Sequence, residues 1–255
     1  EATTLRALCY FYLIRTFRDV PYVTSPSIDD SQNYQIAATP FETVLESIIA
    51  DVEAVKEDAV RSYGEESVEN TCRITRWACY ALLADLYLWK GDWQKCIDCC
   101  DMVINQKIKE YEKEYEENPT TMTVELYDIY PLISESLSNS NYAGNAYTEI
   151  FGAGNSFESI FELNFVNNQS VANNTVSSFY GSSSNKTGQI GAPTFLYSDA
   201  YAGLNDYFAK TDCRYLENMS ESNNKIYISK YVNQSVSFRT STTTGAAPTV
   251  NGEVR

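Results

Sequence analysis

The strongest constraint on the fold is a pair of apolar segments joined by the dipeptide Gly91-Asp92. Residues 75 to 90 are apolar around much of the helical circumference, which is typical of a helix buried between neighbours. Gly91 favours the left-handed turn that ends a helix, and Asp92 is a preferred N-cap for the next one. Residues 93 to 104 carry apolar side chains at helical spacing. The sequence therefore predicts an antiparallel helix hairpin over residues 75 to 104.

This hairpin resembles the tetratricopeptide pattern, in which a small residue on one helix accommodates a large one. Ala84 takes the small position and Tyr87 the large one, while Cys96 stands where alanine is usual. A single repeat of this kind cannot bury its apolar face alone, so neighbouring helices must complete the core.

Two more helices are predicted upstream of the hairpin. Residues 1 to 18 have helical apolar spacing that stops before Val20-Pro21, because the residue before a proline is driven out of the helical conformation. The sequence Thr39-Pro40-Phe41-Glu42 has the form of a capping box with proline at the first helical position. Apolar residues at helical spacing then continue to Val55.

The second half of the chain has a different character. Residues 107 to 118 are rich in Lys and Glu and are interpreted as a solvated extension of the fourth helix. From residue 119 the sequence is rich in Asn, Ser, Thr, Gly and Tyr, with short strands predicted at residues 159 to 166 and 226 to 232 and an irregular loop at residues 240 to 252. We therefore predict a mainly α fold: helical hairpins over residues 1 to 118, and a loop-rich insert with short strands over residues 119 to 255.

Charge and composition exclude several functions. The net charge of -15 is opposite to that of surfaces which gather nucleic acid or anionic lipid, and no run of about 18 apolar residues spans a bilayer. The chain has no histidine, so histidine-based catalysis and histidine-metal sites are excluded. The odd number of cysteines, 7, leaves at least one free thiol, and no second motif completes a metal site with Cys96 and Cys99. We predict no metal and no cofactor.

A wider succession of motifs resembles the SusD/RagB family over about residues 1 to 232. It consists of Arg6-Ala7, Tyr10-Phe11-Tyr12-Leu13-Ile14-Arg15 through Asp19-Val20-Pro21, Arg73-Ile74-Thr75-Arg76, Ala81-Leu82-Leu83-Ala84, Gly91-Asp92-Trp93, Ser159-Ile160-Phe161-Glu162, Asp212-Cys213-Arg214 and Lys230-Tyr231. Arg18 stands where the family usually has glycine, and Cys213 where it usually has proline.

The resemblance implies an outer-membrane lipoprotein of Bacteroidetes that binds glycans on the cell surface without hydrolysing them. It also implies a SusC-like TonB-dependent transporter as the partner that receives the glycan. Such proteins carry a lipid anchor at an N-terminal cysteine, and the chain is expected to be an internal fragment that lacks this end and the final repeat helices.

Sugar rings stack on aromatic side chains, and their hydroxyls pair with amide and hydroxyl groups. The insert contains this mixture, which includes Tyr142 and Tyr147, and the resemblance favours the aromatic residues after the segment 160 to 162, namely Phe179, Tyr180, Phe195 and Tyr197. The predicted ligand-binding residues are Tyr142, Tyr147, Phe179, Tyr180, Phe195 and Tyr197.

Two alternatives compete with glycan binding. A tetratricopeptide adaptor would hold a peptide or protein in a groove lined by helix residues. A glycosidase would need two suitably spaced carboxylates, but on the predicted strand Glu158 and Glu162 lie roughly 13 Å apart, which is too far for either mechanism. Asp199 and Asp206 are the other pair considered.

Overall fold

Five helices account for the first half of the chain in the computed structural model. They are α1 (Ala2–Phe17), α2 (Phe41–Val55), the short α3 (Glu69–Cys72), α4 (Arg76–Lys90) and α5 (Trp93–Glu117). The structure describes residues 1–26, 28, 35–64, 68–119, 123–134, 137–138, 141–142, 146, 148–165, 179, 219–222, 225–228, 232–237 and 249–254. Within these ranges, the helices predicted from the sequence are confirmed, and the Lys/Glu-rich residues up to Glu117 do extend α5.

Short-range capping fixes the ends of the α4/α5 hairpin. The Thr75 hydroxyl accepts a hydrogen bond from the Ala78 amide at 3.3 Å, and Gly91 ends α4 with φ 81°. The Asp92 carboxylate then accepts a hydrogen bond from the Lys95 amide at 3.3 Å. The predicted turn and both predicted roles at Gly91-Asp92 are confirmed.

The start of α2 differs from the prediction. Thr39 makes no capping box; it pairs with Val20 in an isolated antiparallel bridge, and no side chain of the predicted box caps the helix. The carboxylate of Asp19 instead accepts a hydrogen bond from the Phe41 amide at 2.9 Å. The prediction was wrong because the backbone bridge holds Thr39 outside the helix, and a residue distant in sequence supplies the cap.

The helices surround one apolar core. It draws on α1, α2, α4 and α5, and the small and large positions of the tetratricopeptide pattern, Ala84 and Tyr87, are both buried in it. The buried core side chains are those of Ala7, Phe11, Ile14, Val20, Phe41, Val44, Leu45, Ile48, Ile49, Val52, Ile74, Ala78, Cys79, Tyr80, Leu83, Ala84, Leu86, Tyr87, Cys99 and Val103. The core thus forms between hairpins, as a repeat architecture requires.

The described strands of the second half pair as four antiparallel hairpins. Their strands are β1 (Val124–Tyr127) with β2 (Tyr130–Ile133), β3 (Leu137–Ser138) with β4 (Asn141–Tyr142), β5 (Met219–Ser222) with β6 (Lys225–Ile228), and β7 (Val232–Ser237) with β8 (Thr249–Val254). A π-helical turn spans Thr148–Ala153.

Two strand predictions need correction. Residues 159 to 165 form no strand, because Ile160 and Phe161 pack against the helical core instead of pairing with another strand. Residues 249 to 252, expected in an irregular loop, belong to β8, whose Val250 pairs with Val236 of β7. The strand predicted at residues 226 to 232 is confirmed for β6 and for the first residue of β7.

The chain divides into two structural units. The helical unit contains Glu1–Pro119 and the short segment Ile160–Glu162, and the second unit contains Thr120–Ser159 and Leu163–Arg255. That the second unit is a single insert carrying a ligand-binding face stays a prediction.

Candidate functional site

The structure places two of the six predicted ligand-binding residues. Phe179 has 41% of its surface exposed, which leaves its ring accessible to a ligand. The backbone of Tyr142 lies in β4 opposite Leu137. The other four lie outside the described residues: Tyr147, Tyr180, Phe195 and Tyr197. A ligand-binding surface formed by all six residues therefore stays a prediction.

The helical unit has a pocket of about 220 Å³ between α1 and α4. Its apolar lining comes mainly from side chains that also reach the core, and Arg15 and Asp85 are its charged members. The lining residues are Thr4, Leu8, Phe11, Tyr12, Arg15, Ile74, Ala78, Ala81, Leu82, Asp85, Ile160 and Phe161.

Arg15 is held in this pocket by aromatic rings. Its guanidinium lies 4.4 Å from the ring centroid of Phe11, 4.8 Å from that of Tyr12 and 5.8 Å from that of Trp89. Its Nη1 lies 3.4 Å from Oδ2 of Asp85. Stacking of this kind fixes a guanidinium while leaving some of its donors available, and it distinguishes arginine from lysine.

A segment of the chain itself occupies part of the same face of the helical unit. The amide of Glu162 donates a hydrogen bond to the carbonyl of Thr71 at 2.7 Å. The side chains of Ile160 and Phe161 pack against the helical core and line the pocket. Three consecutive residues are therefore bound by the helices much as a short extended peptide would be.

Comparison with known proteins identifies the helical part. Residues 1–88, which include α1, α2 and most of α4, match the SusD-like family model described as "Starch-binding associating with outer membrane". This part of the chain is therefore similar to the SusD-like family. The matched range includes core residues of both helices: Phe11 and Ile14 of α1, and Leu83 and Leu86 of α4.

The curated relatives are SusD-like proteins of the bacterium Formosa agariphila. SusD-like protein P2 is 32% identical over 109 residues, an alignment that covers 43% of this chain and 21% of the relative. SusD-like protein P25 is 24% identical over 106 residues, covering 42% of this chain and 19% of the relative. The chain thus aligns with about a fifth of the length of the curated relatives it matches.

A solved structure extends the likeness to most of the fold. A crystal structure of a Bacteroides vulgatus ATCC 8482 protein, provisionally named as sugar binding, superposes with a TM-score of 0.50 at 17% identity. The superposition covers 91% of this chain and 45% of the other. The predicted mainly helical, tetratricopeptide-like fold is therefore confirmed.

Polar groups elsewhere in the helical unit serve its packing. Arg6 pairs with Asp51 at 2.7 Å, and the hydroxyl of Tyr22 donates to the same carboxylate oxygen at 3.2 Å. Burial, with a further contribution from the hydrogen bond to Glu57, raises the pKa of Tyr80 to about 12. A tyrosine shifted in this direction stays protonated at neutral pH, so it acts as a hydrogen-bond donor and not as a base.

A second opening of about 390 Å³ lies along α4 and α5, where Trp77, Asn105, Gln106 and Lys109 are among its lining residues. Two of its polar groups are already used. The Trp77 indole donates to the Arg61 carbonyl at 3.0 Å, and the Gln106 amide donates to Glu110 at 3.0 Å. These bonds account for the orientation of both side chains without a ligand.

The carboxylates considered for hydrolysis do not form the expected arrangement. The strand on which the separation of Glu158 and Glu162 was based is not formed, and Asp199 and Asp206 lie outside the described residues. Glu158 instead accepts a hydrogen bond from the Ile133 amide at 2.9 Å. Burial, followed by the nearby charge of Glu158, raises the pKa of Glu149.

The two buried thiols serve as apolar packing groups. Cys79 and Cys99 are buried, and burial raises the pKa of Cys99 to about 11, which disfavours its reactive thiolate. Within the described ranges no cluster of three or more His, Cys, Asp or Glu side chains has the arrangement of a metal site. Among the described helices, none combines the length and apolar character needed to cross a bilayer.

Several exposed aromatic residues were not among the predicted ligand-binding residues, and two of them lie together on one hairpin. Tyr127 and Tyr130 face each other across the β1/β2 hairpin and each has 45% of its surface exposed. The pattern that could have indicated them is a pair of short strand-like runs, residues 124 to 127 and 130 to 133, separated by two residues. It was weak because Asp128-Ile129 lacks the glycine or asparagine typical of such turns.

Proposed function

We propose that this protein binds oligosaccharide or polysaccharide at the cell surface and delivers it to a SusC-like TonB-dependent transporter in the outer membrane. The observation that carries the proposal is the match of residues 1–88 to a family model described as starch-binding and associating with the outer membrane. In this proposal a lipid anchor holds the protein on the extracellular face of the membrane, and the protein is not an enzyme.

The chemistry of the second unit supports the proposal. A pyranose presents C–H groups that pack on aromatic rings and hydroxyl groups that pair with polar side chains. The sequence from residue 119 onward supplies both, being rich in tyrosine, asparagine and serine. Phe179 is one exposed ring of this kind.

The adaptor alternative is disfavoured by the pocket between α1 and α4. An adaptor needs a groove lined by helix residues that is free to accept a peptide. Here Ile160 and Phe161 of the same chain line that pocket, and the Glu162 amide is already bonded to Thr71. A foreign peptide would have to displace a segment that is tethered, and a tethered segment competes at high effective concentration.

Affinity electrophoresis and isothermal titration against a panel of polysaccharides test the main proposal. We expect retardation of the purified protein by at least one polysaccharide, and a measurable heat of binding for its oligosaccharides. Binding of unrelated peptides combined with no retardation by any polysaccharide would instead support the adaptor.

A separate experiment tests for hydrolysis. Incubating the same polysaccharides with the protein and assaying reducing ends should give no signal above buffer. A signal that disappears in Glu149→Gln or Glu158→Gln protein would contradict a purely binding role.

The delivery step needs native cells. We expect a TonB-dependent transporter to co-purify with the tagged protein after mild detergent extraction, and the tag to be accessible to antibody on intact cells. An accessible tag without any transporter in the purified sample would contradict delivery while leaving glycan binding intact.

A further inference from the structure

The hairpin of β1 and β2 has two different faces. Its register pairs Val124 with Ile133 and Tyr127 with Tyr130. Because side chains alternate across a strand, Val124 and Ile133 belong to one face and the two tyrosines to the other. Val124 and Ile133 retain only 4% and 2% of their surface exposed, so the end of the first face farthest from the turn is anchored in the protein. Leu126, nearer the turn on the same face, has 48% of its surface exposed.

The outer face carries two rings, an aliphatic side chain and a carboxylate. The cross-strand pair Glu125 and Leu132 lies on the same face as Tyr127 and Tyr130. Leu132 has 38% of its surface exposed. Directly opposed residues in an antiparallel pair hold their Cβ atoms about 5 Å apart. The two tyrosines are therefore neighbours on an exposed face.

Hydrogen bonds hold this face in place. The Ser134 hydroxyl donates to Oε1 of Glu125 at 2.8 Å, and the Ser134 amide donates to the Thr123 carbonyl at 2.7 Å. The amide of Ile133 donates to Glu158 at 2.9 Å. A platform whose base is fixed in this way loses less conformational entropy on binding than a mobile loop would.

We propose that the outer face of the β1/β2 hairpin is a binding platform for a neutral polysaccharide, with Tyr127 and Tyr130 stacking on successive sugar rings. This inference rests on the proposed function and assigns part of it to two residues. Tyrosine suits the role because its ring packs on C–H groups while its hydroxyl bonds to sugar hydroxyls or water.

The size and composition of the face favour a glycan over a protein partner. A stable protein interface buries about 800 Å² on each side, far more than a hairpin with strands of four residues can offer. The cores of such interfaces are also depleted of carboxylates, whereas Glu125 lies on this face. A polysaccharide chain needs only a narrow strip of rings.

The charges of the hairpin select for a neutral ligand. Residues 123 to 134 contain Glu125 and Asp128 but no lysine or arginine. A uronic acid or sulfated sugar on this platform would bring like charges together without a cation from the hairpin to compensate. The platform should therefore discriminate against anionic polysaccharides.

Alanine variants test the platform. Tyr127→Ala and Tyr130→Ala should each weaken binding of a neutral polysaccharide by about tenfold, the loss expected for removing one buried aromatic contact. The matched control is Tyr115→Ala, which removes an exposed tyrosine of α5. It should bind as the unmodified protein does. Circular dichroism and thermal unfolding establish that each variant is folded.

Selectivity is tested with two forms of one polysaccharide. The neutral polysaccharide that binds best is compared with its carboxymethylated derivative, which keeps the backbone and adds charge. We expect the derivative to bind at least about tenfold more weakly, and the difference to shrink in salt near 1 M, where charges are screened within about 3 Å. Equal binding of the two forms in low salt would overturn the selectivity.

The outcomes separate this inference from the proposed function. Retardation of the unmodified protein together with unchanged binding by folded Tyr127→Ala/Tyr130→Ala protein overturns the platform and leaves the function standing. No binding of any polysaccharide by the unmodified protein contradicts both. A change of oligomeric state in the double variant, with glycan binding unaffected, would assign the face to a protein contact.

A measurement on the unmodified protein covers the case in which the variants do not fold. Tetranitromethane nitrates exposed tyrosines, and mass spectrometry locates the modified residue. Saturating neutral polysaccharide should slow nitration of Tyr127 and Tyr130 by several fold but leave that of Tyr115 unchanged. Equal nitration rates with and without the polysaccharide would overturn the platform.

Discussion

At the scale of single residues, Arg18 has a backbone conformation that glycine adopts more readily than arginine. Its φ of 63° and ψ of -93° lie where a side chain is rarely tolerated, and it follows directly after the last residue of α1. Such a conformation costs on the order of 1–3 kcal/mol in a residue other than glycine. Arginine gains only a weak, exposed pairing with Glu42 at 3.5 Å and a contact with the Phe41 ring in return.

Replacing this residue should therefore stabilise the protein. Arg18→Gly is expected to raise the free energy of unfolding by about 1 kcal/mol, because relief of strain exceeds the loss of exposed contacts. Urea denaturation followed by circular dichroism measures it. Arg18→Ala is the matched control, since it loses the same contacts but keeps the strain, and a gain of equal size in that variant would refute the explanation.

Buried tyrosines of the helical core make stability depend on alkaline pH. Burial and the bond to Glu57 raise the pKa of Tyr80 to about 12, and burial with the bond to Glu53 raises the pKa of Tyr87 further. The unfolded chain loses these protons near the usual tyrosine pKa of about 10, before the folded chain does. The folded state therefore holds more protons in this range, and stability must fall as pH rises.

We expect the free energy of unfolding to decrease by about 1 kcal/mol for each such tyrosine between pH values of about 9 and 11. Urea denaturation across that range measures the slope. Tyr80→Phe removes one titrating group and should make the slope shallower. An identical slope in the variant would show that Tyr80 does not contribute.

At the scale of elements, local signals decided where α4 and α5 begin and end. Gly91 and Asp92 act on amides or carbonyls within a few residues, so the sequence alone was enough to predict them. The cap of α2 comes from Asp19, which is 22 positions away from Phe41. No local pattern reports such a partner, and the nearer candidate, Thr39, is used by the bridge to Val20.

The α5 cap is directly testable. Asp92→Ala should lower the free energy of unfolding by about 1 kcal/mol, because the Lys95 amide loses its acceptor. Asp92→Asn keeps an oxygen in the same place and should cost only a few tenths of a kcal/mol. Equal losses in the two variants, measured by chemical denaturation, would mean that the charge and not the hydrogen bond matters.

At the scale of the whole molecule, the excess of negative charge acts against folding. The chain has 34 acidic and 19 basic residues, and many of its described ion pairs are exposed, such as Lys90 with Glu46. Exposed ion pairs contribute little to stability, whereas the excess like charges repel one another throughout a compact structure. Screening should therefore help the folded state more than it harms the pairs.

We expect thermal unfolding to move upward as sodium chloride is raised from about 10 to about 200 mM, by about 2–4 °C, which corresponds to ~1 kcal/mol at this chain length. Differential scanning calorimetry measures the shift, and potassium chloride should reproduce it because screening depends on ionic strength. A downward shift would mean that the ion pairs outweigh the repulsion.

The amino-acid sequence by itself determined the long helices, the α4/α5 hairpin and the family resemblance of the helical part, because helical periodicity, caps and motifs are properties of neighbouring residues. It did not determine that Ile160 and Phe161 would form no strand and would pack on helices from the first half of the chain. Nor did it determine which tyrosines would be exposed, since Tyr80 and Tyr127 differ only in what surrounds them after folding. Burial depends on contacts between distant segments, and only the tertiary structure decides those contacts.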